Sequence, residues 1–368
     1  MEKVSAFLRR KDIVFSPKRY FIDAMSAMAQ GLFCTLLVGT ILNTLGTQLH
    51  IGFLTDIIVT LGKGDGAVGY TIGGLCSAMV GPGMAVAIGQ ALNAPPMVLF
   101  SLIPVGFATN AMGGAGGPLA VLFVAIIAAE IGKAVSKETK IDILVTPIVT
   151  ILSGIGAAAL IAAPIGTAAS AVGKAIMWAT ELQPFFMGII VSVVIGIALT
   201  LPISSAAICA ALGLTGLAGG AAVAGCCAQM VGFAVISFRE NRWGGLAAQG
   251  LGTSMLQMGN IVRNPRIWIP PTLASAITGP IATCIFRMEM NGAAVSSGMG
   301  TCGLVGQIGV YTGWLADIEA GTKAAITATD WLGLVLICFV LPAILSWLIA
   351  LPLRNWDWIG ENDLKLDL

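Results

Sequence analysis

Stretches of mostly apolar residues recur between residues 21 and 353, and roughly eight to ten of them approach the 20 residues that a helix needs to cross a bilayer. Some are interrupted by glycine or proline. Hydrophobic residues make up 57% of the sequence and charged residues 10%, whereas a soluble domain is about half apolar and about a quarter charged. The sequence therefore predicts an all-α polytopic membrane protein with multiple spans.

Basic residues predict how the chain is oriented in the membrane. Residues 1–20 are rich in Lys and Arg, and the apolar run that follows them has the length of a span and no obvious signal-cleavage site. By the positive-inside rule this end is cytoplasmic, and so is the loop with Lys133, Lys137 and Lys140. An even number of crossings must then separate the two. Four spans satisfy this condition: residues 21–44, 66–92, 97–112 and 118–134.

Several functional classes lack support in the sequence. A net charge of +1 gives no sign of nucleic-acid binding. The eight cysteines include no CxxC pair, so neither a metal site nor a disulfide framework is expected. We find no HExxH, nucleophile elbow or P-loop, and we predict no cofactor and no enzymatic activity.

Four sequence blocks recur in the same order, which predicts an internal duplication. They pair Gly74–Gly81 with Gly225–Gly232, Pro118 and Gly132 with Pro265 and Gly279, Ser153–Gly156 with Ser297–Gly300, and Leu201-Pro202 with Leu351-Pro352. Each spacing is about 150 residues, a nearly constant period of the kind that marks repeats. We expect a basic segment at 1–20, a first membrane half at 21–203, a second at 204–353 and a short tail at 354–368. Two such halves are typical of secondary transporters.

Two glycine-rich segments of the second half, residues 243–266 and 287–312, carry the candidate site. They hold too many glycines and amides to face lipid and are too apolar for ordinary loops, so each is predicted to be a re-entrant hairpin against a polar cavity. The candidate solute-binding residues are Gln249, Thr253, Gln257, Asn260 and Asn264 in the first segment, and Glu289, Asn291, Ser297, Thr301 and Gln307 in the second.

A purely structural interpretation of the same residues stays open. Amides and hydroxyls can join one membrane helix to another, at about 0.6 kcal/mol each. Glu289 also allows two interpretations. A carboxylate at bilayer depth is usually functional, but Glu289 lies two residues after Arg287, and both could belong to a solvated turn at the interface.

Part of the chain resembles a known family. The stretch Gly252 to Ile281, with Asn264-Pro265 and Ile269-Pro270, resembles the EIIC membrane component of bacterial sugar phosphotransferase systems. The stand-alone branch of that group, which includes proteins associated with perfringolysin regulation, is similar along most of the chain. The similarity is clearest at Met290 to Gly309, MNGAAVSSGMGTCGLVGQIG.

The resemblance implies about ten spans, two re-entrant hairpins, a homodimer in the lipid of the bacterial inner membrane, and an elevator-like movement of the solute-carrying part. Two departures limit it. The family's sugar-binding carboxylate in a Glu-Pro pair is missing, because the corresponding residues are Ala248-Gln249-Gly250. Residues 354–368 also lack the Cys or His of a phosphoryl carrier, so phosphotransfer would require separate proteins.

The leading hypothesis is a membrane transporter of a small polar solute, a sugar or sugar derivative, because neutral hydrogen-bonding groups suit a ligand rich in hydroxyls. The alternative is a membrane-embedded ligand sensor or regulator that retains the EIIC-like fold. A membrane enzyme is third.

Overall fold

The computed structural model describes residues 2–62 and 67–366, and these residues are almost entirely helical. The chain divides into two compact units, Met1–Ala168 and Ala169–Leu368. In the described ranges the named strands are β1 (Val59–Leu61) and β2 (Val68–Tyr70), which pair as one antiparallel hairpin with Val59 opposite Tyr70. The predicted all-helical class is confirmed.

Three sequence predictions extend beyond the described residues. Met1 belongs to the predicted basic segment, residue 66 begins the second predicted span, and residues 367–368 belong to the predicted tail. The predicted boundary between the two membrane halves, at 203/204, is the boundary between two sequence repeats. It is not a boundary between compact units, and it stays a prediction. The two compact units divide at Ala168 and Ala169, inside one long helix.

The first unit contains nine helices among its described residues. They are α1 (Glu2–Arg10), α2 (Ala24–Leu32), α3 (Val38–Gln48), α4 (Gly52–Thr55), α5 (Ile72–Ala78), α6 (Val80–Ala91), α7 (Pro96–Gly113), α8 (Gly117–Val135) and α9 (Asp142–Thr180), the last of which continues past residue 168. A π-helical turn at Phe33–Leu37 joins α2 to α3, and another at Arg19–Asp23 precedes α2, so that one apolar run covers Arg19–Thr47. The α5 and α6 axes are bent by 53°.

Helices α7 and α8 form an antiparallel pair. Gly114 between them has a φ of 50°, which glycine adopts without the steric cost that a Cβ brings. A methyl group on Gly132 would lie 2.8 Å from Cγ1 of Val98, so the end of α8 packs against the start of α7. The two helices match the predicted spans 97–112 and 118–134 closely.

The N-terminal segment contacts the basic loop after α8. Arg10 and Glu138 form an ion pair at 2.6 Å, and the Lys11 ammonium donates to the carbonyl of Ser136. Lys133 is buried and donates to the carbonyls of Asp12 and Leu92, at 2.7 and 2.8 Å. The prediction that both basic segments lie on one side of the membrane is therefore supported by direct contact.

The second unit contains nine further helices among its described residues. They are α10 (Pro184–Thr200), α11 (Ser205–Leu212), α12 (Gly216–Ile236), α13 (Phe238–Ala247), α14 (Met258–Arg263), α15 (Ile269–Pro280), α16 (Val305–Glu319), α17 (Ala328–Val335) and α18 (Leu341–Asn355). A π-helical turn at Leu336–Val340 joins α17 and α18 into the apolar run Ala328–Asn355.

Helix α12 is the core of the second unit and packs against α10, α15 and α18. Glycine makes this packing possible, because a methyl group on Gly225 would overlap the carbonyl oxygen of Ser192 in α10. Such close approach of backbones is how helices associate where no hydrophobic effect drives them together.

By length and composition, five helical runs of the described residues could cross a membrane, or six if the bent α5–α6 pair counts as one span. One of the five, Pro96–Val135, is the folded-back pair α7–α8. Helix α10 is apolar but has 17 residues, and α15 has 12. The count of ten spans therefore stays a prediction, as do the re-entrant hairpins.

Candidate functional site

The first predicted polar segment leaves regular helical geometry in its middle. After α13 comes a π-helical turn, Ala248–Gly252, and then Thr253 is extended with a φ of −157°. A 3₁₀ turn, Ser254–Gln257, leads into α14. The Thr253 hydroxyl accepts a hydrogen bond from the backbone N–H of Met255 at 3.2 Å. The interruption places two buried glutamines beside each other.

Three amide side chains across this interruption form one hydrogen-bonded series, which we call the amide chain: Gln249, Gln257 and Asn260. Gln257 donates to the side-chain oxygen of Gln249 at 2.9 Å, and Asn260 donates to that of Gln257 at 2.8 Å. Gln249 donates in turn to the Ser237 hydroxyl at 2.8 Å. All three amides are buried.

The amide chain also holds residues 356–366, which we call the tail segment. Gln257 donates to the carbonyl of Leu364 at 2.9 Å, and Asn260 donates to that of Lys365 at 2.8 Å. Asn264 ends α14 and donates to the carbonyl of Trp358 at 2.8 Å. Four of the five predicted residues of the first segment thus belong to one connected structure, with the tail segment on its surface.

The second predicted polar segment is also irregular. It consists of two 3₁₀ turns, Ala294–Gly298 and Cys302–Leu304, before α16 begins at Val305. The turn Cys302–Leu304 packs against Ala248–Gly252 of the first segment. The two interrupted segments therefore meet inside the second unit.

Three predicted residues of the second segment contact α12 or the turn before it. The Thr301 hydroxyl lies 3.5 Å from the sulfur of Met230, and the Gln307 amide nitrogen lies 3.2 Å from the sulfur of Cys227. The Ser297 hydroxyl donates to the carbonyl of Leu214. The side-chain oxygen of Gln307 is buried and has no hydrogen-bond partner, so an acceptor beside α12 is left unused.

Glu289 and Asn291 lie at the N-terminal end of α12, close to the Leu214 carbonyl that Ser297 bonds. The Asn291 amide donates to Glu289 at 3.1 Å and to Asp317 at 2.9 Å, and its oxygen accepts from the N–H of Gly216. Gly216 and Met230 are separated by about 21 Å along the helix axis at 1.5 Å per residue. Glu289 is exposed at a cavity of about 440 Å³. The structure thus places Glu289, Asn291 and the Ser297 hydroxyl near the start of α12, apart from Thr301 at Met230.

Sequence reasoning missed a second buried polar group, centred on Gln229 of α12. Its oxygen accepts from the indole of Trp268 at 2.9 Å and from the Thr200 hydroxyl at 3.3 Å, and its nitrogen donates to Thr272 at 3.2 Å. The Thr200 hydroxyl also bonds Ser254, at 2.8 Å. The sequence signal was present, because Gln229 is an amide within an apolar helix and inside a repeated block.

The chemistry of this region is neutral hydrogen bonding. The amide chain, the hydroxyls and the free Gln307 oxygen supply donors and acceptors without net charge. Buried polar groups of this kind require partners, since an unmade hydrogen bond costs about 1–3 kcal/mol. Within the described residues, no group of three or more His, Cys, Asp or Glu could hold a metal ion.

A family model described as phosphotransferase system, EIIC, matches residues 22–366. No curated protein and no solved structure matches the chain significantly. The match covers both units and both polar segments, and the family consists of membrane components of sugar transport that work with other phosphotransferase proteins. The chain belongs to the phosphotransferase-system EIIC family, as a multi-pass membrane protein of sugar transport rather than an enzyme by itself.

Proposed function

We propose that this protein carries a sugar or sugar derivative across the membrane, and that the solute binds where the two interrupted segments of the second unit meet. The observation that carries this proposal is the packing of Cys302–Leu304 against Ala248–Gly252 beside α12. At membrane depth, backbone that leaves helical geometry is tolerated only against protein or a water-filled cavity. Two such segments in contact concentrate groups that need polar partners.

The side chains at this place favour a neutral, hydroxyl-rich ligand. Gln307 offers an unused buried acceptor. Thr301, whose hydroxyl lies 3.5 Å from the sulfur of Met230, offers a donor that makes at most a weak bond there. The first segment contributes the amide chain and Thr253. A hydroxyl both donates and accepts, so a sugar can satisfy these groups together, whereas a carboxylate or an ammonium could satisfy only one kind.

The transport cycle that we propose uses two re-entrant hairpins and an elevator-like movement within a homodimer. The elevator-like movement and the homodimer rest on the family resemblance, and the hairpins rest also on the glycine and amide content of the two polar segments. Phosphorylation of the solute would require separate phosphotransfer proteins, because the sugar-binding groups named here are amides and hydroxyls without a phosphoryl acceptor.

The test is uptake of radiolabelled glucose, galactose, N-acetylglucosamine and mannitol by purified protein in proteoliposomes, with and without an ion gradient. We expect uptake of at least one sugar, and we expect Thr301→Val to lower it at least fivefold. The matched control is Thr278→Val, since Thr278 is equally buried and its hydroxyl bonds only the Ser275 carbonyl of its own helix.

Specific binding of a sugar without uptake under any gradient would favour the sensor over the carrier. Binding of no sugar, by a folded protein, would contradict the proposed function.

A further inference from the structure

The tail segment is anchored on the amide chain by its backbone. Besides the bonds from Gln257 and Asn260, the Asn241 amide donates to the carbonyl of Leu364 at 2.7 Å. The Asn241 oxygen accepts from the N–H of Leu366 at 2.8 Å. Asn241 therefore pairs with both a donor and an acceptor of the tail segment, much as a neighbouring strand would.

Two apolar side chains complete the docking. Leu364 is fully buried, and Ile359 is 2% exposed. The guanidinium of Arg266 lies 5.1 Å from the ring of Trp358. Asn264 donates to the Asp363 carboxylate at 2.7 Å, and this carboxylate also accepts from the N–H of Gly360. The tail segment is thus held by specific contacts along its whole length.

These contacts occupy the donors that a sugar would use. A peptide carbonyl and a sugar hydroxyl oxygen are both neutral acceptors, and each amide hydrogen can serve one of them at a time. Gln257 and Asn260 each give one hydrogen to their neighbour in the amide chain and the other to a tail carbonyl. A sugar can bind these two side chains only after the tail carbonyls leave.

Docking of this kind is suited to reversal. Burial of two apolar side chains favours the docked state, and ordering of the backbone of eleven residues opposes it. Four arginines lie in the same part of the chain as these contacts: Arg239, Arg242, Arg263 and Arg266. The positive-inside rule therefore predicts that the tail segment faces the cytoplasm.

We propose that the tail segment is an intramolecular competitor of the sugar, docked on the amide chain in the empty state and displaced when sugar binds Gln257 and Asn260. This inference rests on the proposed function and names the regulation of the same site. The apparent dissociation constant for sugar is then the intrinsic constant divided by the undocked fraction.

The experiment compares sugar binding by the unmodified protein and by a Leu364→Asp variant, which places a charge in the buried anchor position. The probes are the four radiolabelled sugars named above. For a tail that is docked about nine-tenths of the time, release lowers the apparent dissociation constant about tenfold. The control is Glu361→Gln, an exposed tail residue, which should leave the affinity unchanged.

Hydrogen exchange on the unmodified protein provides a readout that does not depend on any variant folding. Saturating sugar should accelerate exchange in the peptide that contains Leu366, whose N–H is bonded to Asn241 in the docked state. Sugar that binds without changing this protection would overturn the competition and leave the proposed function intact. Failure of both the unmodified protein and the Leu364→Asp variant to bind any sugar would overturn the proposed function, and the competition with it.

Discussion

Gln257 donates a hydrogen bond to the side-chain oxygen of Gln249 at 2.9 Å, across the interruption at Thr253. Both side chains are fully buried. This bond joins the π-helical turn before the interruption to the 3₁₀ turn after it, so the irregular backbone is fixed by side chains rather than by helical bonds. The second hydrogen of the same amide bonds the Leu364 carbonyl, and it is the hydrogen for which a sugar would compete, so stability and binding are connected at one residue.

Substituting Gln257 by Ala should affect both properties. The change leaves the oxygen of Gln249 and one hydrogen of Asn260 without partners, at about 1–3 kcal/mol for each buried group. We also expect sugar affinity to fall about tenfold, equivalent to about 1.4 kcal/mol. Thermal stability and affinity are measured on the same purified variants, with Gln183→Ala, an exposed glutamine, as the control. Lost stability with unchanged affinity would leave only a structural role for this amide.

Gln307→Met should separate binding from stability. Its buried oxygen has no partner in the structure, and its nitrogen contacts only a thiol, so a side chain of similar shape removes few favourable bonds. We expect the melting temperature to stay the same or rise, and sugar binding to be lost. Ser346→Ala removes another buried and unpartnered polar atom from the same unit and should leave binding unchanged. A Gln307→Met protein that still binds sugar normally would exclude Gln307 from the site.

Gly225→Ala tests the packing of α12. The added methyl group would overlap the carbonyl oxygen of Ser192, and forcing extra atoms into a packed core typically costs about 1–3 kcal/mol. Gly156→Ala is the matched control, because a methyl group there would meet no atom within 4 Å. It should be neutral or stabilising by up to about 1 kcal/mol, the helix preference of Ala over Gly. Equal melting temperatures for the two variants would contradict this account of the packing.

Much of the architecture could be predicted from sequence because it depends on composition. Apolar runs of span length predicted α7 and α8. The basic residues predicted that the N-terminal segment and the loop after α8 share one side of the membrane, and the contact between Arg10 and Glu138 agrees with that prediction. Glycine-rich polar stretches gave the interruptions near Thr253 and Gly303.

The details of the site could not be predicted in the same way. The amide chain bonds the tail segment at the carbonyls of Leu364 and Lys365, and because every residue carries a carbonyl, these contacts give no signal in the sequence. Glu289 and Gln307 belong to one polar segment in sequence, but Glu289 lies beside Asn291 at the start of α12, whereas Gln307 contacts Cys227 in the middle of that helix. Gln229 was overlooked because a single amide in an apolar helix has the same appearance whether its partners are structural or functional.

The side of the membrane on which the basic segments lie can be tested by labelling. Arg9→Cys and Lys137→Cys are compared for reaction with a membrane-impermeant maleimide in inside-out and right-side-out vesicles, with the unmodified protein as the background for its native cysteines. Because Lys11 bonds the carbonyl of Ser136, both positions should react from the same side, which the positive-inside rule predicts to be the cytoplasmic one. Labelling from opposite sides would contradict both the contact and the four-span prediction.

Attachment of the N-terminal segment should depend on the ionisation of Asp12. A hydrogen bond from Arg19 lowers the pKa of this carboxyl from 3.8 to about 2, with a smaller contribution from Asn93 and partial burial acting in the opposite direction. A carboxyl whose pKa is lower in the folded state stabilises that state above its unfolded pKa, and the contribution disappears as the pH falls through the folded value. The segment should therefore stay attached from neutral pH to about pH 4 and loosen between about pH 4 and pH 2. The effect should be modest, because the Asp12 side chain is 49% exposed and water screens the pair.

Anisotropy of a fluorophore on the N-terminal amine measures the loosening. Asp12→Asn should show the lower anisotropy already at pH 7 and a smaller further fall towards pH 2. That remaining fall comes from Glu138, which pairs with Arg10 and Lys11 and whose pKa is also lowered, mainly by the hydrogen bond from Lys11. Asp56→Asn, an exposed control, should behave like the unmodified protein. An Asp12→Asn protein that keeps the same pH dependence would show that another group controls the attachment.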